Sequence, residues 1–152
     1  MASLSAKGAS KRWCSAQENV KSIFNAFAVH DDQLDADWDG LPETVLCDRR
    51  VYQRFAHYLL HTHRIANGEN MGERLSGGTP ANYLSIAINL AADKFKAVGS
   101  DATKRFFNCL DTSSTSDEIK WLRGLKANMK REIMERARDA GDQFDTSEGA
   151  RW

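Results

Sequence analysis

The sequence predicts an all-α protein, a compact bundle of four to five helices forming one domain. Three observations carry that reading. Apolar residues recur at helical spacing over several long stretches, start and stop residues bracket those stretches, and no segment alternates in the manner of a half-buried strand. The 152 residues suffice for one hydrophobic core. With 41% hydrophobic and 28% charged residues the composition is globular rather than disordered.

The elements follow in order. Residues 1–14 carry Lys7, Lys11 and Arg12 without an acid and are expected to form a basic, flexible tail; the bundle proper spans 15–141. A first helix is predicted from Ser15 to Val29, opened by a Ser15/Glu18 capping box, with Val20, Phe24 and Phe27 on one face. Asp31 to Gly40 then holds five aspartates and no base, and Leu41-Pro42 follows; the segment is read as a solvated connector. Calcium ligation by Asp31, Asp35 and Asp39 is disfavoured because the Gly and final Glu of a calcium-binding loop are missing.

A second helix is predicted from Asp48 to Ala66, with Asp48 as cap, a stripe of Val51, Phe55, Tyr58, Leu59 and Ile65, and Asn67-Gly68 as stop. The third helix has Thr79 as cap, Pro80 at its first position and Gly99 beyond its end. Ile86 and Leu90 widen its apolar face, so it should lie centrally. A short fourth helix is expected from Asp101 to Leu110. The fifth is long, from Asp117 to Ala140, with a Thr115/Glu118 capping box, Gly141 as terminator and a stripe of Leu122, Leu125, Met129 and Ile133. Residues 142–152 are expected to form a flexible tail. Phe55, Tyr58, Leu59, Tyr83, Leu84, Ile88, Leu122, Leu125 and Met129 should share one core.

Several function classes are disfavoured. No apolar run approaches the ~20 residues of a membrane span, and Met1 to Trp13 lacks the apolar stretch of a secretory signal. An intracellular protein is expected, nuclear if the source is eukaryotic. Cys14, Cys47 and Cys109 are odd in number and widely spaced, which suits free thiols. His57 and His61 are four apart, yet no Glu follows the first and no third ligand lies at a sensible distance, so no metal or cofactor is expected. Ser76-Gly77-Gly78-Thr79 lacks the Lys and the preceding strand of a phosphate-cradling loop. No acid–base or nucleophile–base pair stands out, so the chain is read as non-catalytic.

Charge supplies the sharper signal. Net charge is zero, from 21 basic and 21 acidic residues, so attraction to nucleic acid must rest on a local face. At about 100° per residue, Lys120, Arg123, Lys126, Lys130, Arg131 and Arg138 fall on one arc beside the apolar stripe of the fifth helix, and Glu118, Glu132, Glu135 and Asp139 fall on the opposite flank. Such segregation suits a helix that tracks phosphates. Arg49, Arg50 and Arg54 form a second cluster that could join the same surface.

The order of motifs is also informative. The Phe55-x-x-Tyr58-Leu59 helix precedes Thr79-Pro80-x-x-Tyr83-Leu84, and a long last helix opens on Trp121-Leu122-Arg123 and runs from Lys130-Arg131 through Arg136 to Gly141. This succession resembles, over about residues 45–145, the N-terminal core-binding domain of tyrosine recombinases, particularly the Crypton-like elements of eukaryotes. The resemblance implies a helical domain that forms half of a clamp around duplex DNA, in the setting of DNA recombination, integration and mobile elements. It places catalysis in a separate C-terminal domain, which would begin near Trp152. His61-Thr62-His63-Arg64 has the His-x-x-Arg spacing of that family's phosphate grip, but the accompanying Arg, Lys and Tyr nucleophile are missing. Tyr83 lies in an apolar face and is read as core. The expected partner is therefore duplex DNA, with a protein partner or self-association as the alternative.

Overall fold

The structure, a computed structural model, describes residues 7–66, 68–95, 97, 99–111 and 117–148, with side chains described within 15–140. The fold is all-α: six helices and one 3-10 turn, with no strand among the described residues. No described helix is long and apolar enough to cross a membrane.

The first helix, α1 (Lys7–His30), starts well before the expected cap at Ser15, so part of the presumed flexible tail is helical. Lys7, Ala9, Lys11 and Arg12 are good helix formers and no proline intervenes, so nothing stops the helix from extending backwards. Val20, Ile23, Phe24 and Phe27 form its buried stripe. The Phe24 ring sits among Phe27, Trp38 and Phe55 at centroid distances of 5.3, 4.9 and 5.0 Å. Rings at these separations, edge-on or tilted, gain quadrupolar attraction beyond the area they bury.

The acidic segment after α1 is not a solvated connector. Leu34, Trp38 and Leu41 are buried at spacings of four and three, and Asp32, Asp35, Asp37 and Asp39 occupy the outer side. The Trp38 N–H donates to Asn25 Oδ1 at 2.9 Å, and Lys94 Nζ donates to the Trp38 and Asp39 carbonyls at 2.6 and 3.2 Å. Asp31 and Asp37 turn inward on their own backbone, accepting from the N–H groups of Gln33 and Gly40. Asp residues with local backbone partners of this kind favour turns over helix or strand.

A single turn, α2 (Glu43–Leu46), then leads into α3 (Arg49–His61). Asp48 caps α3 as predicted, accepting from the Arg50 N–H at 2.9 Å. The helix ends at His61 rather than Ala66, because the Thr62 and His63 N–H groups both fold back on the Tyr58 carbonyl. Ile65 instead pairs with the returning chain, donating to the Glu73 carbonyl and accepting from Gly72. That return needs Gly72, whose φ of +87° favours a residue without a Cβ.

The next helix, α4 (Thr79–Phe95), begins one residue before the expected start: Thr79, the expected cap, is its first helical residue and Pro80 its second, and the Gly78 carbonyl accepts the first intrahelical bond, from the Asn82 N–H. The helix touches α1, α3, α6 and the 3-10 turn. Its expected central place is where it lies. The predicted fourth helix is split into α5 (Asp101–Phe106) and a 3-10 turn (Phe107–Leu110). Ser100 caps α5, and Glu43 of α2 ties the two elements together: its carboxylate accepts from the Ser100 N–H and hydroxyl and from the Thr103 hydroxyl. The Thr103 bond, first, and the Ser100 bonds hold the Glu43 carboxyl below its ordinary pKa.

The last helix, α6 (Asp117–Glu148), continues through Gly141, the expected terminator, and through most of the presumed tail. An interior glycine costs only about 1 kcal/mol relative to alanine, and Asp142, Gln143 and Phe144 are compatible with helix. Thr115 of the expected capping box lies outside the described residues, as do 149–152. Leu122, Met129 and Ile133 lay α6 across α3 and α4. Of the nine residues expected to share the core, Tyr83 and Leu125 are half-buried at its edge and the other seven are buried.

Candidate nucleic-acid interface

The two flanks of α6 meet different neighbours. On the acidic flank stands the end of α3: Arg136 Nη2 donates to the Leu60 carbonyl at 2.9 Å, and His61 Nε2 lies 3.0 Å from Glu132 Oε2. That oxygen is shielded from solvent, and its contact with His61 is electrostatic rather than a well-aligned hydrogen bond. A cation near the last carbonyls of α3 is favourable, since the helix terminus carries partial negative charge.

On the basic flank α6 faces α4 and the 3-10 turn across a groove of about 480 Å³. Arg123, Lys126 and Lys130 line its α6 wall. Ser85 and Asn89 line the α4 wall, and Leu110, Ile119 and Leu122 supply an apolar floor. Among the described residues no carboxylate lines this groove. The Asn89 amide N–H bonds the Ser85 carbonyl one turn earlier, at 2.8 Å, which leaves its side-chain oxygen as the acceptor. Cys109 lies at the back, buried, its thiol pushed up to about 12 chiefly by burial, so it is a packing group and not a nucleophile.

The remaining basic residues of α6 project elsewhere along the same arc. Lys120 is exposed and 3.9 Å from Asp117, a pair too open to neutralise it. Arg131 bonds Asn128 on its own helix, and Arg138 is exposed. The six expected cations therefore do share one side of α6, three of them in the groove.

The α3 cluster is brought neither into that groove nor into the same electrostatic state. Arg49 is exposed. Arg50 is held by Asp48, with Nη2 to Oδ2 at 3.0 Å, and Arg54 by Asp31, with Nε to Oδ2 at 2.7 Å. Partial burial raises the Asp48 pKa, but the bonds from Arg50 and the charges of Arg50 and Arg54 outweigh it and leave the carboxyl below its ordinary value. Asp31 is itself largely buried, so the Arg54 charge is spent within the fold. Sequence reasoning missed both pairings, as well as the Ser85/Asn89 wall. The latter left one signal, a polar i, i+4 pair on the margin of an otherwise apolar helix.

Other candidate chemistries do not assemble. Among the described residues no three His, Cys, Asp or Glu side chains converge as metal ligands. The His57 and His61 rings lie 4.4 Å apart, with His61 turned to Glu132. Arg64 donates to the His61 and His63 carbonyls, so the His-x-x-Arg segment is a local turn contact. The Ser76-to-Thr79 turn engages three of its backbone groups: the Thr79 N–H meets the Ser76 carbonyl within the turn, and the Gly78 carbonyl accepts from the Asn82 N–H of α4. Comparison of the chain with protein-family models, with curated proteins and with solved structures finds no match.

Proposed function

We propose that this protein is a non-catalytic helical domain that binds duplex DNA through the basic side of α6, in the manner of a recombinase core-binding domain. One observation carries the reading: six cations on one arc of α6, with no acid interleaved, beside a groove with no carboxylate among its described lining residues. From Lys120 to Arg138 the helix rises about 27 Å at ~1.5 Å per residue, a length comparable with eight base-pair steps of ~3.4 Å. Phosphates are the natural partners of such a face, since Lys and Arg contacts to them fix register without reading sequence. On this reading the protein works inside the cell, in the nucleus if it is eukaryotic.

About four simultaneous phosphate contacts give a log–log salt slope near −3.6, so raising salt from ~50 to ~200 mM lowers affinity roughly 150-fold. Fluorescence anisotropy on random duplexes at the two salt concentrations measures this. Replacing Arg123 and Lys130, both exposed, by Glu should abolish binding at low salt and leave the fold intact. Flat curves for the wild type at both concentrations dispose of the reading.

The apolar floor of Leu110, Ile119 and Leu122 favours a second reading, because phosphates have no use for it. An acidic amphipathic helix from a protein partner, or from another copy of the chain, would use both the floor and the cations. That alternative predicts no DNA binding at any salt, and loss of a dimer or complex in the same double variant by light scattering.

A further inference from the structure

A second cavity, of about 450 Å³, lies between α1, α4 and the loop that follows α3, away from the α6 groove. Its floor is apolar and buried, made by Ile23 of α1 and Leu75 of the loop. Its rim carries Tyr58, Tyr83, His63 and Arg64. The volume falls within the range of small-molecule sites, and several polar groups converge above the apolar floor.

The rim has a definite polarity. Tyr83 Oη accepts from Asn19 Nδ2 at 3.2 Å and so keeps its own proton to donate. Burial alone pushes the Tyr58 phenol above its ordinary pKa, so it too remains a donor at neutral pH. Burial, helped by the charge of Arg64, lowers the His63 pKa, which leaves a neutral ring with one N–H. Arg64 engages the carbonyls of His61 and His63 through Nη1 only, at 3.4 and 3.2 Å, and retains the N–H groups of Nε and Nη2. Among the described residues no carboxylate lines the cavity. Donors therefore outnumber acceptors around an apolar floor, with one permanent positive charge.

We infer that this cavity, floored by Ile23 and Leu75 and rimmed by Tyr58, Tyr83, His63 and Arg64, binds a small monocarboxylate with an aromatic or branched apolar body. A guanidinium fork matches a carboxylate in two parallel hydrogen bonds, and the phenols add single donors to the same oxygens. One cation balances one negative charge, so a dianion would sit uncompensated. Bound this way, the ligand would span α1 and α4 and brace the loop from residues 62 to 78 between them.

The test uses 3-phenylpropionate and its uncharged analogue 3-phenylpropanamide, titrated into the full-length protein and followed by amide chemical shifts. The acid should bind saturably at roughly millimolar strength, shift the amides of Ser22, Ile65 and Tyr83, and bind about tenfold tighter than the amide. Arg64→Gln, at an exposed position, should erase that difference without weakening the amide. Ala26→Phe, from an exposed position on the cavity wall, should fill the space and block both compounds while the circular dichroism melt stays unchanged. No saturable shift up to ~10 mM overturns the inference. So do shifts confined to Arg123, Lys126 and Lys130, and so does an acid–amide difference that survives Arg64→Gln.

Discussion

Removing one oxygen atom from the centre of the molecule tests the packing account directly. The Tyr52 ring is completely buried and stacks on Phe106 at 5.9 Å, and its hydroxyl donates to the Leu46 carbonyl at 2.6 Å. Burial pushes the phenol well above its ordinary pKa, so it stays a donor throughout the accessible pH range. The Leu46 carbonyl ends the four-residue α2, and the Arg50 N–H that a longer helix would offer it goes to Asp48 instead. Tyr52→Phe therefore removes a hydrogen bond and strands a buried acceptor, a loss of ~1–3 kcal/mol. For a domain of this size that is a fall in Tm of roughly 4–8 °C at the middle of the range. Thermal unfolding by circular dichroism measures it, with urea denaturation to confirm an unchanged m-value. The sign is decisive, because a phenylalanine replacing an unbonded buried hydroxyl would stabilise. An unchanged or higher Tm refutes the assignment of this bond.

Other expectations follow from the same contacts. Trp38→Ala should cost about 3–5 kcal/mol, measurable by urea denaturation; a loss under about 0.5 kcal/mol would return residues 31–40 to the role of a solvated connector. Glu43 has a depressed folded pKa, so its contribution is present above the ordinary glutamate value of about 4.3 and is lost as pH falls through the folded value below it. Melting curves from pH 7 to pH 3 should accordingly fall less steeply for Glu43→Gln than for the wild type. Cys109 should resist iodoacetamide at pH 8 in the native protein and be alkylated in guanidinium, as read by peptide mapping; rapid native labelling would contradict its burial.

The helices were legible where the signal is local. Spacing of Val51, Phe55, Tyr58 and Leu59, or the Thr79-Pro80 start, depends on residues within a few turns; the structure keeps the first and moves the second by one residue. Ends were harder to read. Ser15 and Gly141 have the chemistry of a cap and a terminator, yet helix runs through both, since local signals of about 1 kcal/mol do not decide whether a helix continues. The acidic segment misled because five aspartates hide Leu34, Trp38 and Leu41, whose spacing of four and three was visible in retrospect. The basic arc of α6 was legible because helical period alone defines it. Its groove was not, since the facing wall comes from Ser85 and Asn89, more than thirty residues earlier in the chain. The fate of Arg54 was equally hidden, because its partner Asp31 is 23 positions away and no local rule pairs them.

The place of α4 at the centre has a consequence for how the protein is made. The buried stripe of α1 packs on α4, and the bond from Asn19 to Tyr83 joins positions 64 residues apart. At roughly 5–20 residues per second, the ribosome needs about 3–13 s to cover that distance, far longer than a helix takes to form. During those seconds Val20, Phe24 and Phe27 form an apolar ridge on a nascent helix whose main partner has not been synthesised. α3 arrives sooner and offers Phe55 and Tyr58, which shelters only part of the ridge. The apolar face of the earliest helix therefore waits for a partner from later in the chain, and slow synthesis of residues 30–79 should lengthen that wait and lower the yield of folded product.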